Sequence, residues 1–445
     1  MKSSKRAYCR FYQGLMRMAI PFMPYRKPRV LDSLDKVPEL LSNKRVDSVL
    51  LVTDSGIRGL GLTKDLESMI KKEGIKLSVF DNVVPNPTIE NIEKGLVKYN
   101  SNNCTAIIAF GGGSVMDCAK IIGARAVKPK QKVNEMKGLL KIRKKLPLLI
   151  AVPTTAGTGS ETTVAAVITD EKTHFKYAIN DFCLIPYYAV LDYRVTLGLP
   201  PFVTATTGMD ALTHAVEAYI GKSTTSDTRK LSEDAVLLIV DNLKKAFDNG
   251  QDIEARKNML MASFEAGAAF TKSYVGYVHA VAHSLGGKYG VAHGLANAVI
   301  LPYFLKEYGS TCEVRLSKLA KMARIATYED SHEVAAQKFI KWIESMNKHF
   351  GLPKTLDMIK LEDIDDLATK ADKEGNPLYP VPKLMDKEEL KQMYIKIGGL
   401  ETKAKKQSQN ATKDAKKPTP KTTTPSQKKT AKEQGEFLWK LIKVV

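Results

Sequence analysis

Between residues 46 and 192, short apolar runs alternate with stretches whose apolar positions recur every three to four residues. VDSVLLVTD (46–54) is a compact apolar run closed by turn residues, and LTKDLESMIKKEG after it has helical spacing. KLSVFDNVV (76–84) leads through Pro85 and Pro87 into the helical IENIEKGLVKYN. CTAIIAFGGGS (104–114) runs on into VMDCAKIIGARAV, and PLLIAVPTTAGTGSE (147–161) again couples an apolar run to a glycine loop. Buried strands separated by helices predict a parallel sheet covered on both faces, the signature of a Rossmann-like α/β domain. After Pro200 and Pro201 almost everything to residue 400 has helical periodicity. The expected division is an α/β nucleotide-binding domain over 1–198, including a basic segment at 1–30, and an all-helical domain over 199–400.

The two ends break this pattern. Residues 401–434 are rich in Lys, Thr, Gln and Pro and nearly devoid of apolar side chains. Such a segment buries too little surface to offset ordering its backbone, so a linker is expected. It leads to GEFLWKLIKVV (435–445), where Phe437, Leu438, Leu441, Ile442 and Val445 form a helical stripe suited to docking on a partner. Eleven residues are too few to hold a helix alone. The opening MKSSKRAYCRFYQGLMRMAIPFMPYRKP is basic, acid-free and partly amphipathic, as in a transit peptide or a docked helix. It lacks the unbroken apolar core of a secretory signal, and a docked helix is the expectation.

Size and charge narrow the function classes. A chain of 445 residues with 44% hydrophobic and 26% charged positions can bury a sizeable core. The net charge of +20 raises the question of a nucleic-acid partner. Residues 1–30 carry eight Lys and Arg and no acid; residues 401–445 carry twelve Lys against four acids. That leaves +4 on the 370 residues between, so the globular body is not basic and no nucleic-acid partner is expected. No apolar run approaches the roughly 18 residues of a transmembrane segment. The five cysteines are scattered without a CxxC pair, which points to a reducing, cytoplasmic setting.

Candidate chemistry sits in the glycine loops and the histidines. Gly111-Gly-Gly-Ser114, between a strand and a helix, lets backbone N–H groups approach a phosphate at the positive helix end. Pro153-Thr-Thr-Ala-Gly-Thr-Gly-Ser160 follows another strand and offers hydroxyls to a second part of a nucleotide. Asp54 ends the first strong strand, where a carboxylate either accepts from a ribose hydroxyl and repels a 2′-phosphate or caps a helix. Asp210 and His214 share one face of a helix at i, i+4, and so do His279 and His283; His293 follows a glycine-bearing loop. One carboxylate with three imidazoles suits Fe²⁺ or Zn²⁺, and the spacing leaves open whether His283 or His293 is the third imidazole.

These residues resemble the iron-containing (group III) alcohol dehydrogenases over about residues 25 to 400. The matching motifs are VTD at 52–54, PNPT at 85–88, GGGSVMD at 111–117, PTTAGTGSE at 153–161, GMDALTHAVEAY at 208–219, and HAVAHSLGG with AHGLANA within 279–298. The resemblance implies a Rossmann-like domain and a helical domain with NAD and a metal in the cleft between them. It implies Asp210, His214, His279 and His293 as metal ligands and His283 as a neighbouring proton-relay group. Asp54 would select NAD, and Asn86 would touch the cofactor. Gly112, Gly113, Ser114 and Asp117 would bind the pyrophosphate and nicotinamide end, with Thr154, Thr155, Thr158 and Lys176 completing the site. The implied activity is NAD-dependent interconversion of a primary alcohol and an aldehyde, the alcohol oxygen held at Fe²⁺, with Zn²⁺ or Mn²⁺ as alternatives. A homodimer or larger assembly is the family habit. The rival readings are a dehydroquinate synthase-like NAD and metal lyase and a non-catalytic protein recruited by its tail. The tail stands outside the family pattern and suggests docking to an assembly such as a bacterial microcompartment shell.

Overall fold

The computed structural model describes residues 1–172 and 175–401. The linker at 401–434, beyond Glu401, and the peptide at 435–445 lie outside the described residues. Six strands form one parallel sheet: β1 (Arg29–Leu31), β2 (Ser48–Val52), β3 (Lys76–Phe80), β4 (Ala106–Gly111), β6 (Leu148–Pro153) and β9 (Tyr188–Val190). Their order across the sheet is β1-β9-β6-β4-β2-β3. β2 is buried along its whole length because both faces are covered. Val49 and Leu51 join one apolar layer with Leu66 and Ile70, while Leu50 and Val52 join the other with Ile92 and Ile122. This two-sided burial is why the strands read as continuous apolar runs rather than alternating ones.

A second, smaller sheet departs from the expected alternation. β5 (Gly138–Leu139), β7 (Ala165–Asp170) and β8 (Phe175–Asn180) make three strands in which β7 and β8 pair antiparallel. The helices of this lobe are α2 (Val37–Asn43), α3 (Ser55–Gly59), α4 (Lys64–Lys72), α5 (Ile89–Ser101) and α6 (Gly113–Val127), preceded by α1 (Ser3–Ala19) at the N-terminus.

The helical lobe comprises α7 (Pro201–Ile220), α8 (Ser226–Asp248), α9 (Ile253–Ser273), α10 (Tyr277–Tyr289), α11 (His293–Tyr308), α12 (Glu313–Met322), α13 (His332–His349), α14 (Ile364–Gly375) and α15 (Lys387–Ile397). α7 is buried on nearly every face, which explains why its sequence is apolar all round save for a few functional polar groups. Where the lobes meet, glycine is required: Gly159 has φ +60°, and a methyl group there would stand 2.6 Å from the Gly267 Cα on α9.

α1 docks, as the absence of a signal-like core implied, but against the helical lobe rather than the sheet. The N-terminal ammonium pairs with Asp386 at 2.5 Å and Lys5 with Asp372 at 2.8 Å. Arg10 donates to the carbonyls of Val381 and Pro382, and Gln13 to those of Pro377 and Tyr379. No described helix is long and apolar enough to cross a membrane.

Candidate metal centre and nucleotide cleft

Asp210 and His214 project from adjacent turns of α7, His279 from the first turn of α10, and His293 from the first residue of α11. One potential ligand atom from each of these four lies within 4.8 Å of the others. Asp210 Oδ1 is 4.0 Å from His279 Nε2 and 3.6 Å from His293 Nε2. Tetrahedral ligands about 2.1 Å from a central ion stand about 3.4 Å apart, so the cluster needs only small side-chain movements to close on a cation. His279 Nε2 and His214 Nδ1 are buried with no hydrogen-bond partner among the described residues. His279 Nε2, which faces Asp210, is costly to bury there without a ligand and fits a divalent cation.

Electrostatics prepares the imidazoles for that role. Burial holds His279 well below its ordinary pKa, with His214, His293 and His283 adding to the effect. Burial likewise lowers His214 against the pull of Asp210. Desolvation lowers His293 to about 4, opposed by Asp210, although that ring is still 36% exposed and solvent tempers the shift. All three rings are neutral near pH 7, so each offers a lone pair instead of a proton.

Glu217, one turn beyond His214 on α7, faces the far side of His279. Its carboxylate accepts from the N–H groups of Gly276 (2.8 Å) and Val278 (2.9 Å), and its Oε2 lies 2.5 Å from His279 Nδ1. Burial pushes Glu217 up to about 8, while the backbone donors at the start of α10 pull it back. With the proton on Nδ1, the Nε2 lone pair turns into the cluster. Gly276 admits this contact, since a methyl group there would stand 2.5 Å from Glu217 Oε1. Asn297, one turn into α11, donates to Asp210 Oδ1 at 2.6 Å and lies 3.1 Å from His293 Nε2.

His283 is one turn beyond His279 and stacks on His293 with centroids 5.1 Å apart. Its Nδ1 is 2.6 Å from Glu374 Oε1, which also accepts from the Tyr379 hydroxyl at 2.8 Å. Burial works to lower His283, but Glu374, helped by Asp210 and Glu217, raises it overall.

The nucleotide-loop residues gather at the C-terminal ends of β2, β4 and β6. The strand order reverses direction at β2, so the crevice between β2 and β4 is the topological switch point where such sheets bind ligands. Gly112 caps α6, and a methyl group on Gly113 would meet Thr158 at 3.1 Å. Thr155 flanks Gly112, and buried Thr154 donates its N–H to the Gly111 carbonyl. The Asn86 N–H donates to Ser114 Oγ, and Lys176 Nζ donates to Asn86 Oδ1 at 2.8 Å. Asp54 caps α3 through the Ile57 N–H, as one of its two readings required. Asp117 is turned inward: its oxygens accept from Ser160 Oγ and the Val167 N–H, each at 2.9 Å.

The sequence profile described as "Iron-containing alcohol dehydrogenase" matches residues 30–193, and "Fe-containing alcohol dehydrogenase family, C-terminal" matches 204–398. The chain belongs to the iron-containing alcohol dehydrogenase family. It is 38% identical over 339 residues to alcohol dehydrogenase 4 of Schizosaccharomyces pombe, covering 75% of this chain and 79% of that protein. It is 36% identical over 324 residues to the NAD-dependent methanol dehydrogenase of Bacillus methanolicus, covering 72% and 85%. The crystal structure of a 1,3-propanediol oxidoreductase superposes with a TM-score of 0.80 at 34% identity, covering 84% of this chain and 98% of that one.

In this iron-containing alcohol dehydrogenase three polar residues escaped the reading of the sequence: Glu217, Asn297 and Glu374. Their partners lie 62, 87 and 91 positions away. Glu217 and Asn297 carried a local signal, since Glu217 continues the Asp210 and His214 face at i+7 and Asn297 stands at i+4 from His293.

Proposed function

We propose that this chain is a metal-dependent, NAD-linked alcohol dehydrogenase acting on small primary alcohols and aldehydes, with Asp210, His214, His279 and His293 as the ligands. The observation that carries this is the four-residue cluster with the unpartnered His279 Nε2 facing Asp210. Fe²⁺ is the expected ion, and the same donors accept Zn²⁺ or Mn²⁺. When bound, the cation supplies Lewis-acid polarisation of the alcohol oxygen and the nicotinamide supplies the hydride acceptor. The remaining work falls to the protein. Glu217 fixes the His279 tautomer, and Asn297 orients Asp210 against His293. His283 stands at the cleft edge with Glu374 behind it, a path along which the hydroxyl proton reaches solvent.

For the cofactor, the α6 N-terminus with Gly112, Gly113 and Ser114 would take the pyrophosphate, flanked by Thr154, Thr155 and Thr158. Asn86 and Lys176 would contact the cofactor from the facing loop, and the Asp54 oxygen not used in capping would meet the ribose. Asp117 serves by holding the Ser160 turn in place. The lyase alternative is not favoured by the family match, and neither is a role without catalysis.

Metal analysis of anaerobically purified wild-type and His279→Ala proteins, with NADH production from short primary alcohols, tests the assignment. Full occupancy in the variant would overturn the ligand set. A homodimer in the cytoplasm accompanies this reading, checked by light scattering. Recruitment to a shell-like assembly through 435–445 rests on the apolar stripe there. Deleting 401–445 should leave kinetics intact and abolish co-sedimentation with such an assembly.

A further inference from the structure

One face of α1 is spent on the fold, and the opposite one is apolar. Cys9 packs into the core of the helical lobe and Gln13 donates to its backbone carbonyls. On the opposite side Tyr8, Phe11, Leu15, Met18 and Phe22 are each 51% to 88% exposed. Their spacing of three and four residues places them in one stripe, about 15 Å long from Tyr8 to Met18. Five large apolar side chains in one exposed row exceed the scattered singles of an ordinary surface.

The charge of the segment selects the occupant of the stripe. α1 carries four cations and no acid: Lys5 is held by Asp372 and Arg10 by the carbonyls of Val381 and Pro382, which leaves Arg6 and Arg17 exposed, and the first thirty residues have no acid at all. A second copy of α1 would suit the 3-4 spacing but would set cation against cation with no acid to pair. The C-terminal peptide is also apolar, yet it arrives on a segment with twelve Lys against four acids. An anionic lipid surface matches both features: headgroups attract the cations, and the acyl boundary accepts aromatic and aliphatic side chains. We propose that the exposed face of α1 is a docking surface for anionic phospholipid bilayers, holding the enzyme on the membrane without crossing it. Because Met1, Lys5, Arg10 and Gln13 tie α1 to the segment 372–389, the helix would lie flat with the enzyme above it.

The test is flotation of the full chain with phosphatidylcholine vesicles, with and without phosphatidylglycerol, at low and high salt. Binding to the anionic vesicles that weakens about tenfold in high salt is expected, with far less binding to phosphatidylcholine alone. The variant Phe11→Glu/Leu15→Glu/Met18→Glu should lose about tenfold or more of that binding while keeping its melting temperature and turnover. Arg6→Glu/Arg17→Glu, which leaves the apolar row intact, should also weaken binding to the anionic vesicles. The proposal is overturned if the wild type stays unbound or if the triple variant floats as well as the wild type, which would assign binding to the tail. It is equally overturned if the triple variant changes oligomeric size in lipid-free buffer, since the face would then join copies of the chain.

Discussion

Replacing Glu217 by Gln separates structural from metal-linked stability in one side chain. The wild-type carboxylate serves three nitrogens: Gly276 N, Val278 N and His279 Nδ1. An amide has one accepting oxygen, so if it keeps Gly276 and His279, the Val278 N–H faces an NH₂ group. A buried donor left without an acceptor costs about 1–3 kcal/mol. In a helical lobe of this size that lowers the melting temperature by about 2–4 °C for each kcal/mol. The second effect appears only with metal. Losing the carboxylate behind a ligating imidazole weakens metal binding about 10- to 100-fold, and each tenfold removes about 1.4 kcal/mol of ligand-linked stability. Melting curves of both proteins, metal-free and with titrated Zn²⁺ or Fe²⁺, resolve the two contributions. An unchanged metal-free melting temperature together with wild-type metal affinity would refute the account of Glu217.

Three further outcomes follow from the same geometry. His283→Ala should lower turnover about 10²-fold or more yet retain metal, whereas His279→Ala should lose the metal, as elemental analysis and initial rates will report. In the metal-free protein the raised pKa of His283 gives a stabilisation fully present below about 6.5 and lost as pH rises through the higher native value; Glu374→Leu should flatten that slope in pH-resolved melting curves. Asp54→Ser keeps an N-cap for α3, so stability should change by only a few tenths of a kcal/mol while kcat/KM for NADP relative to NAD rises about tenfold. An unchanged cofactor ratio would remove Asp54 from the ribose site.

Much of this molecule was readable along the chain because its signals are local. β2, β4 and β6 are almost wholly apolar since both sheet faces are covered, and each is followed by its loop. The pairs Asp210/His214 and His279/His283 declared themselves by helical spacing. What stayed hidden depends on contacts between distant segments. His293, not His283, joins the tight cluster because α11 starts beside α7, which no spacing encodes. Glu374 reaches His283 only once α14 packs on α10. The β7 and β8 pairing sits where the alternation of strand and helix gave no warning. α1 reads as amphipathic from sequence, but only the fold tells which stripe is spent and which is left outward.

The backbone contact of Gly159 with Gly267 has a mechanical corollary. The turn that begins at the threonines beside α6 is clamped onto α9, with no slack for even one carbon. Any displacement of α9 must carry that turn along. On the proposed cofactor placement, the seat of the coenzyme would move with α9, and a bulkier residue at 267 would part the two.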